Sequence, residues 1–174
     1  MKLKGFKVID AINIVGFRTR APSVNKFCDT ISVYRKFPAG WEGLHWPATT
    51  RPGLPMLLRP VNPKGTAIMV PGQYEDAYAL GAYKGYQALR QVGPIRVYRD
   101  KNQDSHFDYD SANIEQGLFG VHIHRAGVFS SLVGTWSAGC QVFQKRRHFE
   151  EFISICQWSA AAVKNRFSYT LLEI

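Results

Sequence analysis

The sequence predicts a mainly β, α+β fold built as one domain over residues 1–174, and three observations carry that reading. Short runs rich in β-branched and aromatic residues fill the first two thirds of the chain, and Gly, Pro and Asn separate them. A single stretch near the C-terminus has helical spacing instead. The chain, 174 residues long, 45% hydrophobic and 20% charged, is long enough for one full core and ordinary in composition. No repeat of fixed period and no low-complexity linker divides it.

In order, the strand-like runs are "AINIVGFRTR", "DTISVYRKF", "LHWPATT", "TAIMV", "YEDAYALG", "IRVYRD" and "GVHIH", read as a mainly antiparallel arrangement. Between the third and fourth, "RPGLPMLLRPVNPKG" contains four prolines and predicts a long non-helical connection. From Arg147 to about Val163, the residues Phe149, Phe152, Ile153, Cys156, Ala160 and Val163 recur at helical spacing. Glu150 and Glu151 toward the start, with Lys164 and Arg166 past the end, suit the helix dipole. "FSYTLLEI" then returns as a strand.

The net charge of +9, from 22 Lys and Arg against 13 Asp and Glu, predicts attraction to a polyanion, whether nucleic acid, cell wall or anionic lipid. The basic residues are scattered, with the densest cluster "QKRRH" at 144–148, so nucleic acid is not the expected partner. Lys4, Lys7, Asp10 and Asn13 interrupt the N-terminal stretch, which therefore lacks the apolar region of a signal peptide. No other run approaches membrane-spanning length, so synthesis in the cytosol without membrane insertion is expected.

Three cysteines, Cys28, Cys140 and Cys156, are too few and too far apart for a disulfide framework or a paired-cysteine zinc site. Cys156 falls on the apolar helical stripe, which assigns it to packing, and Cys28 in "NKFCDT" is given the same role.

The stretch "GVHIHRAGVFSSLVGTWSAGC", residues 120–140, carries the chemistry. In a strand His122 and His124 project to one side while Val121 and Ile123 project to the other. A loop through Ser130, Ser131 and Gly134 then leads to Cys140, whose small neighbours leave its sulfur and nearby N–H groups open to a ligand. A free thiol of pKa about 8.5 is mostly protonated at neutral pH, and an adjacent imidazole can take its proton to give a more reactive thiolate–imidazolium pair. Cys140 is thus the candidate nucleophile and one histidine its base. The plain alternative is an inert buried thiol beside histidines that satisfy backbone groups.

Two metal readings compete. The two histidines plus Cys140 form an admissible zinc set, but the fourth ligand would come from His106, His148 or Asp108, none at a recognisable spacing. In "DKNQDSHFD", Asp100, Asn102, Asp104 and Asp108 fall on positions 1, 3, 5 and 9 of a calcium loop. Ser105 replaces its glycine and Ser111 its bidentate acid, which favours an acidic turn over calcium. A non-enzymatic alternative is a basic module for cell wall or nucleic acid, with Trp41, Trp46, Trp136 and the eight tyrosines as stacking surfaces.

"IHRAGVFSSLVGTWSAGC" resembles the signature of the L,D-transpeptidase catalytic domain, or YkuD domain, in which a strand-borne His is followed by a loop and S-x-G-C. Ser137, Gly139 and Cys140 match the S-x-G-C positions, and the 140 − 124 = 16 residues from His124 to Cys140 fit the family's spacing. Pro71, Gly72 and Tyr74 resemble its P-x-G-x-(F/Y) segment, and "INIVGFRT", "PGQY" and "IHRA…WSAGCQVF" resemble a phage-encoded branch. The resemblance implies a β-sandwich or cradle around the cysteine, without a cofactor, acting on peptidoglycan stem peptides through a Cys140 acyl-enzyme. It implies His124 as base and acid, His122 as a neighbour, and N–H groups of Gly139 and Cys140 as oxyanion donors. Ser137, Trp136 and Tyr74 would line the substrate. The family usually continues after its cysteine with an apolar residue and then Arg or Asn, whereas this chain has Gln141, Val142 and Phe143. Arg125 is the candidate substitute cation, because a guanidinium grips a carboxylate in two-pronged geometry, with a solvated strand end as the equal alternative. Hydrolysis, of the carboxypeptidase or endopeptidase kind, is expected over transpeptidation, at the wall or periplasm after release or delivery.

Overall fold

The computed structural model describes residues 5–8 and 11–174. The chain opens with β1 (Ile12–Arg18), β2 (Asp29–Phe37) and β3 (Gly40–Thr49), followed by a short helix α1 (Leu54–Leu58). Then come β4 (Thr66–Met69), β5 (Gly72–Tyr83), β6 (Tyr86–Gln91), β7 (Ile95–Asp100), β8 (Glu115–Gly117), β9 (Ile123–Arg125) and β10 (Gln141–Phe143). A helix α2 (Arg146–Ala162) and a final strand β11 (Phe167–Glu173) complete it. The mainly β, α+β class predicted from the sequence is the class observed.

Eight strands close into a barrel in the order β1-β11-β5-β6-β9-β10-β3-β2, and β4-β7-β8 make a separate three-stranded sheet. Where the sequence predicts a sandwich or cradle, the main sheet closes on itself through β3 and β10. Pairing is antiparallel except for β1 with β11 and β9 with β10. Period-two alternation explains the core: Ile12 and Ile14 on β1 and Ile31 and Val33 on β2 are buried together. Phe149, Phe152, Ile153 and Cys156 of α2 join them, with Phe143 4.9 Å from Phe152 between ring centroids. Trp46 belongs to this cluster too, its Nε1–H donating to Glu151 at 2.8 Å, so it is not a stacking surface.

Beneath the β1–β2 end lies a buried polar knot. Asp29 accepts from the N–H groups of Thr19 and Thr50, from the Thr50 hydroxyl and from Arg51 Nη1, the last at 2.8 Å. Buried Arg18 donates to Thr50 Oγ1, Thr50 O and Met69 O. Every charge there is hydrogen-bonded, as burial demands. Arg51 also donates to the Tyr109 hydroxyl and lies 5.4 Å from the Phe107 ring centroid, which ties the loop after β7 to the barrel.

Four expectations need correction. The proline-rich connection holds α1, because proline in the first helical turn forfeits no hydrogen bond and Leu57 is buried. Of "GVHIH" only Ile123 and His124 lie in a strand, β9. Cys28 is exposed rather than packed. Glu150 and Glu151 fall beyond the first turn of α2. Among the described residues no helix is long and apolar enough to cross a membrane.

Candidate active site

Parallel pairing of β9 with β10 sets Gln141 against Ile123 and Val142 against His124. The Gln141 N–H donates to His122 O at 2.9 Å, which brings Cys140, the residue before β10, alongside His122. The His122 N–H points at Cys140 Sγ at 3.4 Å, and the thiol donates to Gly120 O at 3.5 Å.

The S-x-G-C turn holds its own shape. Buried Ser137 donates to Cys140 O at 2.7 Å and accepts the Gly139 N–H at 3.1 Å. Gly139 has φ +116, and a Cβ there would lie 2.3 Å from Ala67 O on β4, so both conformation and space demand glycine. Two expected roles change. The Gly139 N–H is bonded to Ser137 rather than free for an oxyanion, and Ser137 builds the turn rather than lining the substrate. Among the described residues the Cys140 N–H has no acceptor.

Cys140 and Ala138 sit in a cleft of about 560 Å³ with Gly120, Val121, Thr66 and Ala67. Its wall carries Lys64, Arg99 and Glu115. Arg99 donates to Glu115 Oε2 from Nε at 3.1 Å and Nη2 at 2.9 Å, while Lys64 Nζ lies 3.4 Å from Oε1. These three come from separate segments with no local motif, so sequence reasoning misses them.

His124 is buried. Its Nδ1 lies 2.9 Å from Arg125 O, and since a carbonyl only accepts, Nδ1 carries the proton. Nε2 is therefore the basic nitrogen, and it is buried without a hydrogen-bond partner. Burial pushes the His124 pKa down to about 4; the bond to Arg125 O opposes this, and His122, Lys84 and Arg125 add to it. His122 Nδ1 accepts the Gln91 N–H at 3.0 Å, and burial followed by Arg90 lowers its pKa. The Tyr83 ring covers both, at 5.2 Å from His122 and 4.9 Å from His124 between centroids, so the two imidazoles share one side. Burial pushes the Cys140 thiol up to about 11, against the His122 N–H and the charge of Lys84. At neutral pH thiol and imidazole both rest uncharged, and among the described residues neither ring is hydrogen-bonded to Sγ.

Other expected residues lie elsewhere. Arg125 donates to Ala126 O and stacks on Tyr86 with its guanidinium carbon 4.3 Å from the ring centroid. It lines a groove with Arg146, Phe149 and Glu150, apart from the cleft. Tyr74 is buried and donates to Val70 O, so it packs rather than binds. Trp136 is half exposed on a 3-10 turn (Gly134–Trp136), outside the cleft lining. Tyr83 and Lys84, missed from sequence, sit where β5 turns into β6; the two-residue turn Lys84-Gly85, both with positive φ, was their only signal.

The Asp100–Asp108 loop is a turn held by its own side chains. Asp100 accepts the Asp108 N–H, Asn102 donates to Asp104, and Asp104 accepts the His106 N–H. Asp100 is fully buried with Oδ1 unpartnered, and burial pushes its carboxyl up to about 6, with the negative charges of Asp108 and Asp104 adding to the rise. Among the described residues no three His, Cys, Asp or Glu side chains converge to hold a metal ion. Compared with protein-family models, curated proteins and solved structures, the chain matches none.

Proposed function

We propose that the chain is a cysteine-dependent enzyme of peptidoglycan stem peptides, with the architecture of the L,D-transpeptidase catalytic domain and a preference for hydrolysis. The observation that carries the reading is the β9–β10 junction. It sets a thiol in a cleft, within 3.4 Å of the His122 N–H, and pairs Val142, two residues on, with His124, a buried imidazole whose tautomer is fixed by Arg125 O. The cleft gives the thiol access to a ligand, and the unpartnered Nε2 of His124 leaves a basic nitrogen available.

In the proposed reaction Nε2 of His124 takes the thiol proton as sulfur attacks the stem-peptide carbonyl, and then gives it to the leaving amine. The Cys140 N–H faces the developing oxyanion. Water releases the acyl-enzyme. Arg99, Lys64 and Glu115 place both charge signs on the wall, which suits a substrate bearing carboxylate and ammonium groups.

The test is to incubate tetrapeptide stems with wild type, Cys140→Ala and His124→Ala, with and without excess amine acceptor, and follow products and protein mass. An adduct confined to Cys140 and predominantly shortened stems support the proposal. Dominant exchanged or cross-linked stems make the chain a transpeptidase instead, and turnover by Cys140→Ala refutes the site.

A further inference from the structure

We propose that the loop joining β9 to β10 is a docking surface for an anionic phospholipid bilayer. Four large apolar side chains crowd its nine central residues and face water: Val128 is 75% exposed, Phe129 58%, Leu132 45% and Trp136 44%. Leu58 of α1, packed beside the 3-10 turn, adds another exposed apolar group. Isolated exposed apolar residues are ordinary, but a group on one loop is not.

The loop is built rather than slack. The Arg146 N–H donates to Val128 O, Phe129 bridges Lys145, and the Ser130 N–H donates to Gln144 O. At its other end Asn25 accepts the Val133 N–H on its carbonyl and the Gly134 and Leu54 N–H groups on its side chain. These bonds hold the apolar side chains outward.

Charge selects the occupant. The chain has no acidic residue between Glu115 and Glu150. Lys145, Arg146 and Arg147 flank the Val128–Phe129 side, with Lys145 Nζ 5.7 Å from the Phe129 ring centroid. Lys26, next to Asn25, and Arg59, next to Leu58, flank the other side. Among the described residues Lys26, Arg59, Lys145 and Arg147 form no ion pair, while Arg146 reaches Glu150 at 3.7 Å on the exposed helix surface. Exposed apolar side chains on one loop, with a tryptophan among them and cations at the margin, match an interface of acyl chains beneath anionic headgroups. A folded protein partner would need a concave apolar pocket for each of them.

The test uses the full chain and its flotation with vesicles of phosphatidylglycerol and phosphatidylcholine in equal parts, or of phosphatidylcholine alone. Wild type binds the mixed vesicles and not the neutral ones, and added salt weakens it. The double variant Val128→Ser/Phe129→Ser binds about tenfold more weakly with an unchanged melting temperature, as does Arg146→Gln/Arg147→Gln. Trp158→Ser, which removes a more exposed tryptophan well along α2, binds as wild type. Absence of flotation overturns the proposal. So does full binding by Val128→Ser/Phe129→Ser, which would make this a surface for soluble polyanions. A wild-type dimer that this variant dissociates would give the loop to a second copy and equally overturn it.

Discussion

The resting state of Cys140 is open to direct measurement by thiol–disulfide exchange with a small neutral disulfide such as dithiodipyridine. With the thiol pushed up to about 11, the thiolate fraction at pH 7 is about one in ten thousand, against about 3% for a free thiol near 8.5. That is a deficit of about 300-fold. A more basic thiolate is intrinsically more reactive, and a Brønsted slope of about 0.45 over ~2.5 units returns about tenfold of it. The net expectation is exchange some twenty- to thirtyfold slower than a model thiol, before any loss from restricted access, as an order of magnitude. Cys28 is exposed and would mask the signal, so Cys28→Ser is the working background; Cys156 is buried and stays silent. Labelling at Cys140, followed by mass, rises about tenfold per pH unit from pH 7 to 10, because the thiolate fraction does. His124→Ala leaves this profile in place while abolishing turnover. A rate at pH 7 equal to or above the model thiol, with an inflection below neutrality that vanishes in His124→Ala, would refute the reasoning and establish a thiolate–imidazolium pair at rest.

Other outcomes follow from single contacts. Ser137→Ala removes the acceptor of the buried Gly139 N–H and the donor to Cys140 O, and costs about 1–3 kcal/mol in denaturant unfolding together with most of the turnover. Asp29→Ala strands Arg51 in the buried knot and costs about 3–5 kcal/mol; a loss under 1 kcal/mol would show that water reaches the knot. The folded Asp100 carboxyl, at about 6, lies above its unfolded value near 3.9, so its penalty is absent below about pH 4 and grows as pH rises through 6. Asp100→Asn therefore stabilises the protein at pH 8 and is close to neutral at pH 4, a contrast that melting curves at the two pH values check. Arg125→Ala lowers activity on stems with free and amidated carboxylates alike, since the side chain stacks on Tyr86 outside the cleft, whereas Arg99→Ala discriminates between them; selective loss in Arg125→Ala would return that guanidinium to the substrate.

Where a signal is local, the sequence displays it. The α2 helix is set by 3.6-residue spacing and lies one residue from its expected bounds, Arg146–Ala162 against 147–163. "DTISVYRKF" is β2 to the residue, since alternation and a bounding turn mark both ends. The pairing of Cys140 with the histidine side of β9 was legible because one short stretch holds all three residues. What escaped is long-range. The three-residue strands β8 and β10 carry too few side chains to show a period, and barrel closure depends on β3 meeting β10, nearly a hundred residues apart. Lys64, Arg99 and Glu115 meet only because β4, β7 and β8 pair, and Arg125 misleads because adjacency to His124 in sequence puts it on the opposite face of the strand.

The contacts around the thiol and the imidazole share a logic that burial conceals. The His122 N–H and the Lys84 charge both favour a thiolate, and Arg125 O, accepting from Nδ1, favours an imidazolium. While the Lys84 and Arg125 charges oppose the imidazolium, the first two contacts stabilise the thiolate and the third the imidazolium. Burial outweighs them while the cleft is empty of substrate. In the proposed reaction, proton transfer becomes favourable only when sulfur begins to bond a carbonyl, because the negative charge then moves to the oxyanion beside the Cys140 N–H rather than remaining on sulfur. The proposed reaction thereby ties reactivity to occupancy by an acyl substrate. A thiol held this way resists adventitious oxidation and alkylation, which proceed through the thiolate, and in the proposed reaction gives up its proton to His124 only once the substrate is bound.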